Sequence, residues 1–400
     1  MARVVIAGAG PTGLALALLL ARSGIEVTLL EARSNLGGLF RGEALMPSGL
    51  EALQHLGLWP LPASVIHRPL AGWSFWLEQR PWFQVQEPMQ QGPACTLVDP
   101  CSLVHALAEL LQIRASGSLR LGCSISGLLQ RDDRVTGVRL GDGEPIPADL
   151  VVACDGRGSS LRRLAGLELQ QRQRPIDVLW FRMAEPACTP LIHTLEGRFH
   201  TIVAQGHSLA LYASSRGGVQ LGLPLLPGER PQRSPQDWLS WWRQLSPPSL
   251  DADLASLPPE AIDGPLRLPV QVALAERWWR PGLLLLGDAA HPMSPIRAQG
   301  SSMGLRDAVV AADQLATALP AGTDPAPPAA LDHALAAVGK GVLHSIGNAF
   351  IDDQTERHGF LDADGMGLGH TVDGDRPQAQ NRVAQACAKL LDIGTRIDED

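Results

Sequence analysis

Three clusters in this 400-residue sequence have residue types and spacings suited to chemistry. The first is Gly8-x-Gly10-x-x-Gly13, between a β-branched run at 3–7 and an Ala/Leu-rich segment that reads as a helix to about Ser23. Gly8 permits a tight turn, Gly10 lets backbone approach a pyrophosphate, and Gly13 allows close helix–strand packing. Pro11 and Thr12 open the helix, whose free N–H groups suit an anion. Glu31 lies 18 residues after Gly13, at the end of a second strand (26–30), with Arg33 just beyond. A carboxylate there accepts from ribose hydroxyls. With strand, helix and acid in register, this cluster predicts dinucleotide binding.

The second cluster is Cys154-Asp155-Gly156-Arg157-Gly158-Ser159-Ser160-Leu161-Arg162, after a buried strand at 150–153. Asp155 before Gly156 is in itself a turn cap. The third is Gly287-Asp288-Ala289-Ala290-His291, after a strand at 283–286, with Pro295, Gln299, Gly300, Ser301 and Ser302 leading into a helix to about Ala318. Asp288 stands at the carboxyl end of a parallel-type strand, where open α/β sheets bind ligands. His291 has two readings, an acid–base group or a hydrogen bond across its own loop.

The elements that carry these clusters divide the chain. At roughly 100–200 residues per domain the length suggests two or three domains. A Pro- and Trp-rich stretch at 59–93 interrupts the βαβ pattern, and short alternating segments from about 175 to 270 read as an antiparallel sheet. The stretch 319–329 is a linker by composition, a helix follows at about 330–350, and 352–376 is Asp- and Gly-rich. Hydrophobic residues at 45% and charged residues at 18% describe a globular protein. A formal charge of −8 without a basic run gives no affinity for nucleic acid. Only Lys340 and Lys389 are lysines, which excludes a catalytic lysine earlier in the chain. Six cysteines lack metal-ligand spacing, no segment is long and apolar enough to span a bilayer, and Met1-Ala2-Arg3 enters a strand at once. These features predict a cytoplasmic protein with reduced thiols and no integral membrane association.

The three clusters, together with Arg41-Gly42-Glu43-Ala44-Leu45-Met46-Pro47-Ser48-Gly49-Leu50, resemble the motifs of single-component FAD-dependent monooxygenases of the para-hydroxybenzoate hydroxylase type. The likeness covers roughly residues 1–318, in family order and spacing. It implies a mixed α/β fold with a Rossmann-like FAD-binding domain at 1–70, 95–165 and 275–318. An antiparallel substrate-binding sheet domain at 71–94 and 166–274 is inserted, and a C-terminal helical extension covers 330–400. The implied chemistry uses NADPH or NADH to reduce FAD, after which O2 forms a C4a-hydroperoxide that oxygenates a hydrophobic, aromatic small molecule. The enzyme would act as a monomer or homodimer.

By the same resemblance Arg41 donates to the pyrophosphate and Asp288 contacts a ribityl hydroxyl. Asp155 lies near FAD and the nicotinamide path, Pro295 shapes the loop beside the isoalloxazine, and the 301–318 helix stabilises the reduced flavin. Arg41, His291 and Pro295 are the candidates nearest the chemistry, and no acid–base residue is assigned. The chain departs from the family pattern in two places: Ala298-Gln299-Gly300-Ser301-Ser302 stands for a usual Gly-x-Gly-x-Asn, and Asp99-Pro100 replaces an Arg or Gln before the helix at 102–111. No second GxGxxG is present, and no G-x-S-x-G elbow supports a hydrolase. The absence of an early lysine and of a W-x-W-x-I-P motif removes the halogenase branch. A reductase or oxidase without oxygen insertion, and a non-catalytic flavin-binding protein, remain as alternatives. Trp73, Trp76, Trp82 and Trp180 are either pocket-lining rings or ordinary packing.

Overall fold

A computed structural model describes residues 2–37, 42–89, 92–172, 176–225, 228–295, 298–319 and 327–350, with side chains through 342 in the last helix. Arg41 and the stretch 352–376 lie outside the described residues. The chain divides into two units.

The first unit comprises Met1–His67, Val98–Arg172 and Gln271–Ile346. Its centre is a six-stranded sheet. The strands are β1 (Arg3–Ala7), β2 (Glu26–Leu30), β3 (Gly117–Arg120), β4 (Leu150–Ala153), β5 (Trp279–Arg280) and β6 (Leu283–Leu285), in the spatial order β5-β6-β4-β1-β2-β3. All pairs are parallel except β5 with β6. The wholly buried runs Leu-Val-Val-Ala in β4 and Leu-Leu-Leu in β6 explain their central places, since parallel strands are covered on both faces. From β1 the chain first builds outward through β2 to β3, then reverses to β4 on the other side. The switch point of the topology therefore lies between β1 and β4, where open α/β sheets form their ligand crevice.

Helices α1 (Pro11–Arg22), α2 (Pro47–His55), α3 (Pro100–Gln112), α4 (Ser160–Leu164), α5 (Gly300–Ala318) and α6 (Pro328–Phe350) complete this unit. α1 packs against α3 and α5, and α5 also receives α2. α3 begins two residues before the expected Ser102, because Asp99 caps it and Pro100 takes its first position, where no N–H is needed. Residues 169–171 pair with 273–275 inside this unit, so both belong here rather than with the inserted sheet. α6 is likewise part of it: Arg134 bonds the Pro328 carbonyl at 3.0 Å and the Asp332 carboxylate at 2.5 Å.

The second unit contains Arg68–Leu97 and Gln173–Val270. Its seven-stranded sheet runs 262–270, 176–183, 219–224, 207–213, 198–204, 72–77, 80–86, antiparallel except for 198–204 beside 72–77. Alternation sends Phe181, Leu211 and Leu221 to one face, under the helices at 235–245 and 248–256. There Phe181 meets the rings of Trp238 and Trp242 at 5.0 and 4.8 Å. The opposite face carries Trp73, Phe199, Tyr212, Gln220 and Trp180. Phe199 lies between Trp73 and Tyr212, 5.0 Å from each. Gln220 accepts from Trp180 Nε1 at 2.6 Å and from the Tyr212 hydroxyl at 3.2 Å. Trp73, Trp76, Trp82 and Trp180 thus do not share one lining. Trp76 points to the helix-covered side, donating to His200, and Trp82 packs on Phe83 in the edge strand.

Candidate active site

The carboxyl ends of β1, β4 and β6 lie side by side, and each runs directly into one of the three clusters. After β1 the chain turns through Gly8, whose φ is +99° and whose N–H donates to Leu30 O at 2.7 Å. A Cβ on Gly8 would fall 2.4 Å from the Cys154 carbonyl, and one on Gly13 would fall 2.0 Å from Gly8 O. Neither position admits a side chain. Gly10 is different: a Cβ there meets nothing within 4 Å. Gly10 is also the N-cap of α1, without a side-chain cap, and Pro11 follows at its first position. Gly10 therefore leaves open space at the start of α1, suited to an anion, that a side chain on Gly10 would fill.

Glu31 braces this turn. Its carboxylate accepts from Ala9 N at 2.9 Å and from Arg33 N at 3.0 Å. The Arg33 side chain is exposed. Thr12 sits between the first and third clusters, against Gly287 (φ +58°) and Gly304, where a Cβ would stand 3.0 and 2.2 Å from its Oγ1. Thr12 therefore holds α1 close to α5.

After β4, Asp155 accepts from Ser160 N at 2.8 Å and Leu161 N at 3.1 Å, so it caps the start of α4. Arg162, nearly buried, spreads its guanidinium between the carbonyls of Arg157 at 2.9 Å and Ala289 at 2.8 Å. This fork ties the second cluster to the third. Between the tied segments, Arg157 Nε lies 3.5 Å from Asp288 Oδ2, and both side chains keep more than a quarter of their surface in solvent. Asp288 is thus an ionic acceptor at the mouth of the crevice, close to the first turn of α5: a Cβ on Gly300 would stand 3.9 Å from its Oδ1.

The Asp288 turn is held from behind by Asp307 on α5, whose Oδ2 accepts from Gly287 N at 2.9 Å and pairs with His291 Nε2 at 2.6 Å. His291 is wholly buried and stacks on Trp278 at 5.2 Å. Burial works against its charge, but the Asp307 carboxylate, the hydrogen bond to it and the nearby Asp288 hold its pKa above the ordinary histidine value. The partner of His291 is thus Asp307 on α5 rather than a group of its own loop. Burial, with Asp155 and Asp307 nearby, pushes the Cys154 thiol well above its usual range.

The structure brings Gly8, Gly10, Gly13, Glu31, Gly287, Asp288 and the α5 terminus together around one sheet edge. Gln299 is the N-cap residue of α5 without capping it, Ser301 is exposed, and Pro295, also exposed, accepts from Ala298 N at 3.0 Å. Two departures from the family pattern have structural duties. The Asp99 carboxylate is buried and accepts from Ser102 N at 2.7 Å as the cap of α3. Ser302 is buried and accepts from Met46 N at 3.0 Å, joining α2 to α5. Arg157 and Arg162 lie in the second cluster and Asp307 on α5, and residue type alone gives none of them a site role. Their roles depend on contacts across more than 120 residues for Arg157 and Arg162, and 16 to 20 for Asp307.

These features fit an FAD adenylate, pyrophosphate and ribityl chain: a cradle free of side chains, a helix terminus, and two placed carboxylates. A family model for an FAD binding domain matches residues 1–336, and the chain belongs to that family of FAD-dependent monooxygenases. It is an FAD-dependent oxidoreductase. The 6-methylpretetramide 4-monooxygenase of Streptomyces rimosus is 33% identical over 321 residues, 77% of this chain and 73% of that protein. The 3-hydroxybenzoate 6-hydroxylase of Klebsiella oxytoca is 27% identical over 340 residues, 78% and 80% of the two chains. The crystal structure of P. aeruginosa PqsL with 2-aminobenzoylacetate shares the fold, with a TM-score of 0.74 at 20% identity over 97% of this chain and 99% of that one. Among the described residues no helix is long and apolar enough to cross a membrane, and no acidic, His or Cys cluster could hold a metal.

Proposed function

We propose that the chain hydroxylates a hydrophobic aromatic small molecule, using NADPH or NADH and O2. The observation that carries this reading is the convergence of three motif loops at the carboxyl ends of three adjacent parallel strands. Gly8 to Gly13 and the α1 terminus bind the pyrophosphate, Glu31 the adenosine ribose, and Asp288 a ribityl hydroxyl. The first turn of α5 offers N–H groups and the positive end of its dipole to the anionic side of the reduced ring. FAD, when bound, supplies the hydride acceptor and the activation of oxygen. The protein's task is then to keep the oxygen-transfer site dry and the substrate carbon in reach.

An aromatic substrate is supported by the two relatives, a 6-methylpretetramide monooxygenase and a 3-hydroxybenzoate hydroxylase. The free thiols of Cys95, Cys101, Cys123, Cys154 and Cys188 support a cytoplasmic setting. The test is turnover under labelled O2 with a panel of phenols and aminoaryl ketones. Incorporation of one labelled atom into product is expected. NAD(P)H oxidation that yields only peroxide across the panel, with no labelled product, would instead favour a reductase or oxidase.

A further inference from the structure

His291 and Asp307 take no part in the chemistry just described, yet they are the most completely buried ion pair among the described residues. Taking two ionisable groups out of water is costly unless their geometry returns the loss. Here a single oxygen, Asp307 Oδ2, receives both Gly287 N–H and His291 Nε2, which flank Asp288 on either side in sequence. Arg162 holds the same turn from the opposite direction through Ala289 O. Asp307 belongs to α5, whose first residue, Gly300, stands beside the Asp288 carboxylate. The pair therefore fixes the spacing between Asp288 and the α5 terminus, the two groups assigned above to the flavin.

We infer that His291 and Asp307 are positioning residues for FAD, locking Asp288 and the first turn of α5 into one rigid unit that grips the cofactor only while the pair is formed. This rests on the flavin-holding roles proposed for Asp288 and α5. Neither His291 Nδ1 nor Asp307 Oδ1 has a hydrogen-bond partner among the described residues, so the link between the turn and α5 rests on the two bonds to Asp307 Oδ2. The charged and titratable groups around His291 are Asp307 from α5, Asp288 from its own turn, Arg162 from α4 through Ala289 O, and Cys154 after β4. Trp278 covers the ring face.

Because the ordered turn raises the histidine pKa above 6.5, the charged pair is fully present below that value. As pH climbs through the raised value the proton leaves Nδ1, which has no partner, so the charge is lost while the Nε2–H bond to Asp307 stays.

The experiment titrates FAD into the deflavinated full-length chain, by quenching of flavin fluorescence, from pH 6 to 9. It compares wild type with His291→Phe, which keeps an aromatic ring but loses the donor, and His291→Gln, which keeps a donor but does not titrate. Trp278→Phe is the packing control, and Asp288→Ala checks the flavin placement. At pH 6, H291F should weaken FAD at least ~10-fold, the worth of one charge-assisted hydrogen bond, while H291Q and W278F stay within about threefold of wild type. The wild-type and H291Q Kd should both stay within about threefold from pH 6 to 9, since each keeps a donor to Asp307. Equal weakening by W278F and H291F, or H291Q as weak as H291F, overturns the inference. If H291F does not fold, Asp307→Ala, which removes the shared acceptor, is held to the same tenfold limit. D288A weakening FAD while H291F does not removes only the positioning role. If neither weakens FAD, the site placement falls with it, whereas failure to hydroxylate any aromatic compound leaves these binding results untouched.

Discussion

Replacing Gly10 by valine should empty the site without disturbing the fold, and replacing Gly13 by alanine should do the reverse first. The backbone at Gly10, with φ −74° and ψ 177°, is open to any L residue, and a Cβ there meets nothing within 4 Å. Substitutions of that kind change stability by about 0.5 kcal/mol or less. The valine methyls nevertheless occupy the approach to the free N–H groups of α1. Loss of two charge-assisted hydrogen bonds to a pyrophosphate, at about 1.5–3 kcal/mol each, removes about 3–6 kcal/mol of binding. That corresponds to a Kd raised by about 10²- to 10⁴-fold. At Gly13 the added Cβ would lie 2.0 Å from Gly8 O, and backbone must move. Overpacking of this kind costs about 1–3 kcal/mol or more, and a domain of this size loses about 2–4 °C in Tm for each kcal/mol. The assay pairs a thermal melt of the deflavinated proteins with a flavin fluorescence titration, since bound cofactor would itself raise the Tm. G10V that retains FAD within threefold of wild type, or that melts as low as G13A, would refute the cradle.

Three further outcomes follow from single contacts. Asp99→Ala should lower stability by about 1 kcal/mol through the lost cap of α3 and leave the FAD Kd unchanged; a shifted Kd would mean that the carboxylate reaches the flavin after all. Ser302→Ala leaves Met46 N without its acceptor, with an expected loss of about 1 kcal/mol read from denaturant unfolding, and an unchanged midpoint would contradict the α2–α5 tether. Arg162→Met removes two carbonyl contacts and should reduce FAD affinity more than Arg157→Met, because it releases the turn itself rather than one partner of Asp288; the opposite ranking in the same titration would reverse the assignment.

The parts of the fold readable from sequence were those whose signals are local. β1 and β4 are short apolar runs bounded by glycine or aspartate, and they occupy 3–7 and 150–153 as their composition dictates. The glycine spacing at 8–13 carries its own stereochemistry, visible in the 2.0 and 2.4 Å approaches that no side chain could survive. Asp99 shows the limit: it stands out from sequence only as a departure from the family's Arg or Gln, whereas its spacing to Ser102 is that of a helix cap. His291 offered two readings that only its burial and the Asp307 contact separate. Arg157 and Arg162 were in plain view in the second cluster, but their partners Asp288 and Ala289 come from β6's loop, which topology alone brings alongside. The tryptophans were ambiguous for a similar reason, since the face on which Trp76 or Trp180 falls depends on strand register rather than residue type.

The central claim is a reducible FAD held at the carboxyl edge of the first sheet. It is tested most directly by the visible spectrum of the FAD-reconstituted protein under anaerobic conditions, before and after NADPH and then NADH. Flavin absorbance bands that bleach with one of the two nucleotides, alone or once an aromatic ligand is added, are the predicted result. A protein that acquires no flavin spectrum on reconstitution, or whose flavin neither nucleotide reduces with or without aromatic ligands, would contradict it.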